Sequence, residues 1–130
     1  MIVLDASAAV VLLIGADRAD DVERRLLARG ETLHAPHLFD VEVAHALRRL
    51  ALRRLVDTDR AAAALDDLRE MPLLRYPHLP LLERAWQLRG SVSIYDGVYL
   101  ALAEALTAPL LTADAAVKRG YRGPATVEIV

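Results

Sequence analysis

The sequence contains no cysteine, which removes disulfide staples and thiolate zinc sites and fits a reducing compartment; we expect a cytoplasmic protein. Basic charge is not in excess either, with 16 Lys and Arg against 18 Asp and Glu and a formal net charge of −2. The molecule as a whole therefore has no general attraction for phosphate backbones, and nucleic-acid binding requires a local basic patch. The candidate patch is "LRRLALRRL", residues 47–55. Long apolar runs are missing too. The opening "MIVLDASAAVVLLIG" is broken by Asp5 and Gly15, short of the roughly 20 residues of a membrane span, and it has no basic segment of the kind that opens an export signal. We read it as core. Repeats, low-complexity tracts and linkers are absent, so residues 1–130 are read as one domain.

What is present is apolar sequence in short pieces. Hydrophobic residues make up 55% of the chain and mean hydropathy is +0.25, high for a small domain. We expect apolar surface covered by a second copy or by another protein. The segments 2–4, 31–36, 72–77, the apolar residues before Asp114, and 125–130 read as strands. Between them the pattern predicts a helix after Asp5, then helices over 17–28, 37–55, 57–71, 79–90 and 91–106, and one after Asp114. In the longest, Phe39, Val43, Ala46, Leu47 and Leu50 share one face. Ser91 or Ser93 is the expected cap of the helix over 91–106. Short apolar strands alternating with helices predict a parallel α/β sheet covered on both faces.

Four acidic residues stand out from this pattern. Asp5 and Asp114 each directly follow an apolar strand, and ligands of open α/β sheets bind beyond the carboxyl ends of the strands. On neighbouring strands the two carboxylates would repel, and a divalent cation relieves that most simply. Plain helix capping, worth about 1 kcal/mol, explains either one equally. Glu42 lies beside an apolar helix face, and Ala46 offers it no salt bridge one turn on. An exposed glutamate of good helix propensity is the ordinary alternative. Asp96 follows Ser93 by three residues, the spacing of a capping box.

The order of these residues resembles a family. "VLDAS" at the start, Pro36 and then Glu42 opening a helix, "YDGVYLALAEAL" with Asp96, and "LLTAD" with Asp114 together look like the PIN domain. Within that family the chain is similar to the VapC-type toxins, small ribonucleases paired with an antitoxin. Gly97 departs from the pattern, which more often has alanine there. The resemblance implies a three-layer α/β fold with a central parallel sheet of about five strands, and an acidic pocket formed by Asp5, Glu42, Asp96 and Asp114. It implies Mg²⁺ or Mn²⁺ in that pocket, hydrolysis of RNA phosphodiester bonds, a cognate antitoxin protein and a homodimer. Ser7 and Thr112 would orient the carboxylates. Arg48, Arg49 and Arg53, with Arg54, are candidates to hold an RNA backbone.

The remaining polar residues have ordinary explanations. His34, His37, His45 and His78 lack metal-site spacing and read as structural or surface residues, and Trp86 and Tyr99 as core or interface. Two other functions compete with the ribonuclease. One is a phosphoaspartate phosphoryl-transfer domain, which also places an Asp after its first strand but needs a second acid close by that "DAS" does not supply. The other is an inactive partner-binding module whose carboxylates are caps.

Overall fold

The computed structural model describes residues 1–28 and 30–130. The chain runs β1 (Ile2–Leu4), α1 (Ala6–Ile14), α2 (Ala19–Leu27), β2 (Leu33–Pro36), α3 (Leu38–Leu52), α4 (Thr58–Glu70), β3 (Leu73–Tyr76), a 3₁₀ turn (Leu79–Leu81) leading into α5 (Leu82–Gln87), α6 (Ile94–Leu106), β4 (Leu110–Thr112), α7 (Ala115–Gly120) and β5 (Val127–Ile129). The strands form one sheet in the order β3-β2-β1-β4-β5, every pair parallel. This is the expected α/β class. Successive residues of a strand point to opposite faces, so the complete burial of β1 and β4 means that both faces are covered. Helices α1 to α4 pack on one another, while α6, backed by α5, lies over β1, β2 and β4.

Strand order positions the site. From β1 the chain steps outward to β2 and β3, then crosses back past β1 to β4 and β5. The reversal falls between β1 and β4, where Leu4 is paired with Leu111. Crossovers leave these two strands in opposite directions, which opens a crevice at their carboxyl ends. Asp5 and Asp114 sit at that crevice.

Two helices carry the other acidic residues, and each is tied down by a two-pronged ion pair. Arg75 of β3 grips Asp40 of α3 at 2.7 and 2.8 Å. Arg84 of α5 grips Glu104 of α6 at 2.7 and 3.0 Å, and the Tyr121 hydroxyl donates to the same carboxylate at 2.6 Å. Such paired N–H···O bonds fix orientation as well as distance. Ser93, not Ser91, caps α6, its Oγ accepting from the Asp96 N–H at 3.1 Å.

Two elements depart from the sequence reading. Helix α3 ends at Leu52 rather than Leu55, because Arg54 takes a left-handed φ of 55° and the Leu55 and Val56 N–H groups both turn back to the Leu50 carbonyl. The helix expected over 79–90 is a 3₁₀ turn, with the Leu81 N–H donating to the His78 carbonyl at 2.8 Å, followed by the short α5, which ends at Gln87. Trp86 is not core. It is 60% exposed, with the Arg89 guanidinium 4.7 Å above its ring. Among the described residues no helix is long and apolar enough to cross a membrane.

Gly97 has a packing reason. A Cβ there would lie 3.1 Å from the Ala85 Cα of α5, so glycine lets α5 and α6 approach closely. We expect Gly97→Val to lower stability by about 1–3 kcal/mol, because overpacking outweighs the few tenths gained in helix propensity over glycine. Thermal unfolding measures it; an unchanged melting temperature would show that α5 yields freely.

Candidate active site

Asp5 is held in place by β4. Its N–H completes the sheet by donating to the Leu111 carbonyl at 2.9 Å, and its side chain is then largely buried. Oδ2 accepts a hydrogen bond from Ser7 Oγ and another from Thr112 Oγ1, both at 2.6 Å. The two hydroxyls in turn accept backbone N–H groups, Ser7 from Ala113 at 2.9 Å and Thr112 from Asp114 at 3.0 Å. Each hydroxyl oxygen is thereby occupied as an acceptor and directs its hydrogen to Asp5. The expected orienting contacts of Ser7 and Thr112 are present, and both converge on one carboxylate. Asp5 occupies the N-cap position of α1 yet makes no side-chain cap bond. Capping does not account for it.

The other three acids arrive from separate elements. Asp114 does cap, its Oδ1 accepting from the Ala116 N–H at 2.8 Å. Asp96 stands in the first turn of α6, where the positive end of the helix dipole favours a carboxylate. Glu42 stands in the second turn of α3 with Oε1 buried and lacking a hydrogen-bond partner. Asp5, Glu42, Asp96 and Asp114 line one cavity of about 550 Å³, together with Ser7, Val41, His45, Arg49 and Tyr95.

The electrostatics of this cavity are strained. Burial is the largest cause pushing the Glu42 carboxyl up to about 7; repulsion from Asp5 and Asp96 adds to it, and the Tyr99 hydroxyl acts in the opposite sense. Burial likewise raises Asp96, opposed by the Ser93 hydroxyl and reinforced by Asp5 and Asp114. Among the described residues no Arg, Lys or His side chain forms a salt bridge with any of the four acids. Nor do three or more of their side chains form a ready-made metal shell. That donor set, hard oxygens spread around a roomy cavity, suits a small hard cation that keeps much of its water and takes only one or two carboxylates.

The basic residues divide. Arg49 lies seven residues beyond Glu42, on the same side of α3, and lines the cavity. Arg48 is roughly 120° around the helix from Glu42 and lines a separate groove between α3 and α4 with Leu47, Ala51 and Ala61. Arg53 follows the end of α3, about 16 Å along the axis from Glu42. Of the histidines, His34 is bonded at both ring nitrogens, to Thr32 and Tyr76 at 2.8 Å each, and His37 packs edge-on against His78. His45 alone of the four lines the cavity; its place three residues after Glu42 was the available clue. Tyr99 is core, as expected, and its buried hydroxyl is close enough to Glu42 and Asp5 to feel their charge, which raises its pKa after burial has done so. It follows Asp96 by three residues, one helical turn.

Glu42 sets a pH dependence. Its carboxyl titrates above the ordinary value, so the fold keeps a proton that the unfolded chain gives up, and the associated stability is present below about pH 4.5 and lost as pH rises through about 7. In EDTA, Glu42→Gln should therefore match wild type near pH 4.5 and exceed it at pH 8 by about 1–2 kcal/mol after solvent screening, or roughly 3–6 °C. Equal melting temperatures at pH 8 would contradict the strain.

With this geometry in hand, similarity to known proteins is specific. Residues 2–122 match the PIN domain family. The chain is 42% identical over 130 residues to Ribonuclease VapC12 of Mycobacterium tuberculosis, covering 100% of this chain and 99% of that one. Among solved structures it resembles M. tuberculosis VapC20, described as a Sarcin-Ricin loop cleaving toxin, with a TM-score of 0.69 at 18% identity over 92% of this chain and 94% of that one. It equally resembles VapBC2 from Rickettsia felis bound to a DNA fragment from its promoter, with a TM-score of 0.69 at 17% identity over 99% and 98% of the two chains. At those identities the structures speak for the fold. Taken with the sequence match across nearly its whole length, they show that the chain belongs to the PIN-domain family, among its VapC members.

Proposed function

We propose that this protein is a metal-dependent endoribonuclease and the toxin of a type II toxin–antitoxin pair, acting in the cytoplasm. The observation that carries the reading is the set of four unneutralised carboxylates, from four separate elements, around one cavity at the switch point of the sheet. Caps do not explain it, since Asp5 caps nothing and Glu42 buries an unpartnered oxygen. A phosphoaspartate site is not favoured: position 7, where a second acid would help, is a serine bonded to Asp5.

Asp5, Glu42, Asp96 and Asp114 would hold Mg²⁺ or Mn²⁺ between them, one or two directly and the others through its water. When bound, such a cation supplies a more acidic water and neutralises charge that builds on a phosphate. The chain's own groups do the rest. Ser7 and Thr112 hold the Asp5 carboxylate in one orientation, and Asp114 is pinned by the start of α7. Arg49 offers the cavity a cation for the RNA backbone. Arg48 and Arg53 would act further out along the same strand of RNA. Exposed apolar residues, Leu27, Leu52, Leu55 and Leu74 among them, support a protein partner and a homodimer; the cognate antitoxin is the partner we assign, in keeping with two structures that share this fold, VapBC2 from Rickettsia felis and a toxin–antitoxin complex from Klebsiella pneumoniae.

Asp5→Asn and Asp96→Asn each remove a charge while keeping shape, so each should fold as wild type and lose Mg²⁺-dependent RNA cleavage by at least about 100-fold. Full activity in either variant would remove that residue from the site. A cation should also relieve the repulsion. Millimolar Mn²⁺ should raise the melting temperature over EDTA by about 3–8 °C through binding linkage, with a smaller rise in Asp114→Asn. No shift in wild type, with no binding heat by calorimetry, would leave the carboxylates without their ion.

A further inference from the structure

The cavity has an aromatic residue that its acidic chemistry does not use. Tyr95 precedes Asp96 in the first turn of α6, lines the same cavity, and is 65% exposed. The other aromatics are accounted for. Phe39, Tyr99 and Tyr121 are buried, the Tyr76 hydroxyl is bonded to His34, and Trp86 lies outside the cavity beneath Arg89. A tyrosine ring left in water beside a functional cavity is a flat apolar face awaiting a flat partner. Facing into that cavity from α3 are His45 and Arg49, both exposed, neither held in a salt bridge among the described residues. One ligand satisfies an aromatic face and a cationic donor at once: a nucleotide, with its base on the ring and its phosphate on the guanidinium.

We infer that Tyr95 is the stacking platform for an unpaired base of single-stranded RNA, with Arg49 holding an adjoining phosphate so that the strand enters the acidic cavity in one register. This rests on the ribonuclease reading and assigns two residues of this chain to holding its substrate. In a duplex each base is already stacked on both sides and its edge is turned inward, so only an unpaired or splayed nucleotide can lie against the ring. The contact is tolerant of sequence, because every base has a face to offer. Tyr95 is a binding residue here. It takes no part in moving protons.

The test uses a short fluorescein-labelled RNA strand without internal pairing, the same strand annealed to its complement, and a strand of equal length made of abasic sugar-phosphate. Wild type is first assayed for Mg²⁺-dependent cleavage of the single strand. Binding is then measured by anisotropy in Mg²⁺ on an Asp5→Asn background, alone and combined with Tyr95→Ala, Tyr95→Phe or Arg49→Gln. Tyr95→Ala should weaken the single strand by about 5- to 100-fold while Tyr95→Phe stays within about twofold, since the ring and not the hydroxyl is the contact. The abasic strand should bind equally with and without the ring, and the duplex should show no Tyr95 dependence. Arg49→Gln should weaken all strands and flatten the salt dependence by roughly 0.7 in log–log slope. Because Tyr95 is exposed, its variants should keep the parent melting temperature.

Loss of less than about twofold in Tyr95→Ala, or an equal loss on the abasic strand, would overturn the stacking role while leaving the ribonuclease in place. A Tyr95→Ala protein that binds RNA normally but no longer holds its antitoxin would overturn it also and give the ring to the protein contact. Wild type that neither cleaves nor binds the single strand would take down the ribonuclease reading and this inference together.

Discussion

Mutual repulsion among carboxylates held at one end of a parallel sheet is the constraint around which this protein is organised. Asp5, Glu42, Asp96 and Asp114 share a cavity without a salt-bridge partner among the described residues, and burial makes the repulsion worse by removing water from Glu42 and Asp96. A fold that gathers such charges must supply compensation elsewhere. Part is local: two hydroxyls on Asp5, a backbone N–H on Asp114, and a helix N-terminus behind Asp96. Glu42 has the least, with a buried oxygen unpartnered, and burial pushes its carboxyl up to about 7.

The hydroxyl relay at Asp5 also joins strand pairing to the site. Thr112 is the last residue of β4 and fully buried, and its hydroxyl links the Asp114 N–H to the Asp5 carboxylate across the β1–β4 pair. Ser7, from the first turn of α1, repeats the link through Ala113. Two bridges therefore cross the one crevice that the topology opens, and they meet on Asp5 Oδ2 with the two hydroxyl oxygens 3.1 Å apart. The geometry of the acids on the sheet is set by the same contacts that close the two halves of the sheet together, so displacement of one half moves the site.

The helices serve a second purpose. Glu42 and Asp96 come from α3 and α6, which belong to different packing groups, and their distance across the cavity depends on how firmly each is seated. The Arg75–Asp40 and Arg84–Glu104 pairs anchor them outside the cavity lining, and Gly97 allows α6 to settle against Ala85. A site on such helices holds its shape better than one on loops.

Much of this was open to inspection in the sequence. Strand and helix order followed from hydrophobic periodicity, and a strand sequence followed by aspartate marked Asp5 and Asp114, because the chain must leave a parallel strand at its carboxyl end and there meets solvent. The resemblance to the PIN domain rested on those residues in that order, and the full-length match bears it out. What periodicity left undecided was the role of each acid. Capping and ligand binding use the same residue types at the same positions, and only the hydrogen bonds separate them: Asp114 caps, Asp5 does not. Which basic residues reach the cavity was likewise decided by helix phase and length, which select Arg49 and set Arg48 and Arg53 apart. Tyr95 was invisible for a related reason. A residue on a cavity wall has no periodic signature of its own; it becomes a neighbour of Asp5 only when the chain crosses back over β1, and that return is a property of the folded sheet.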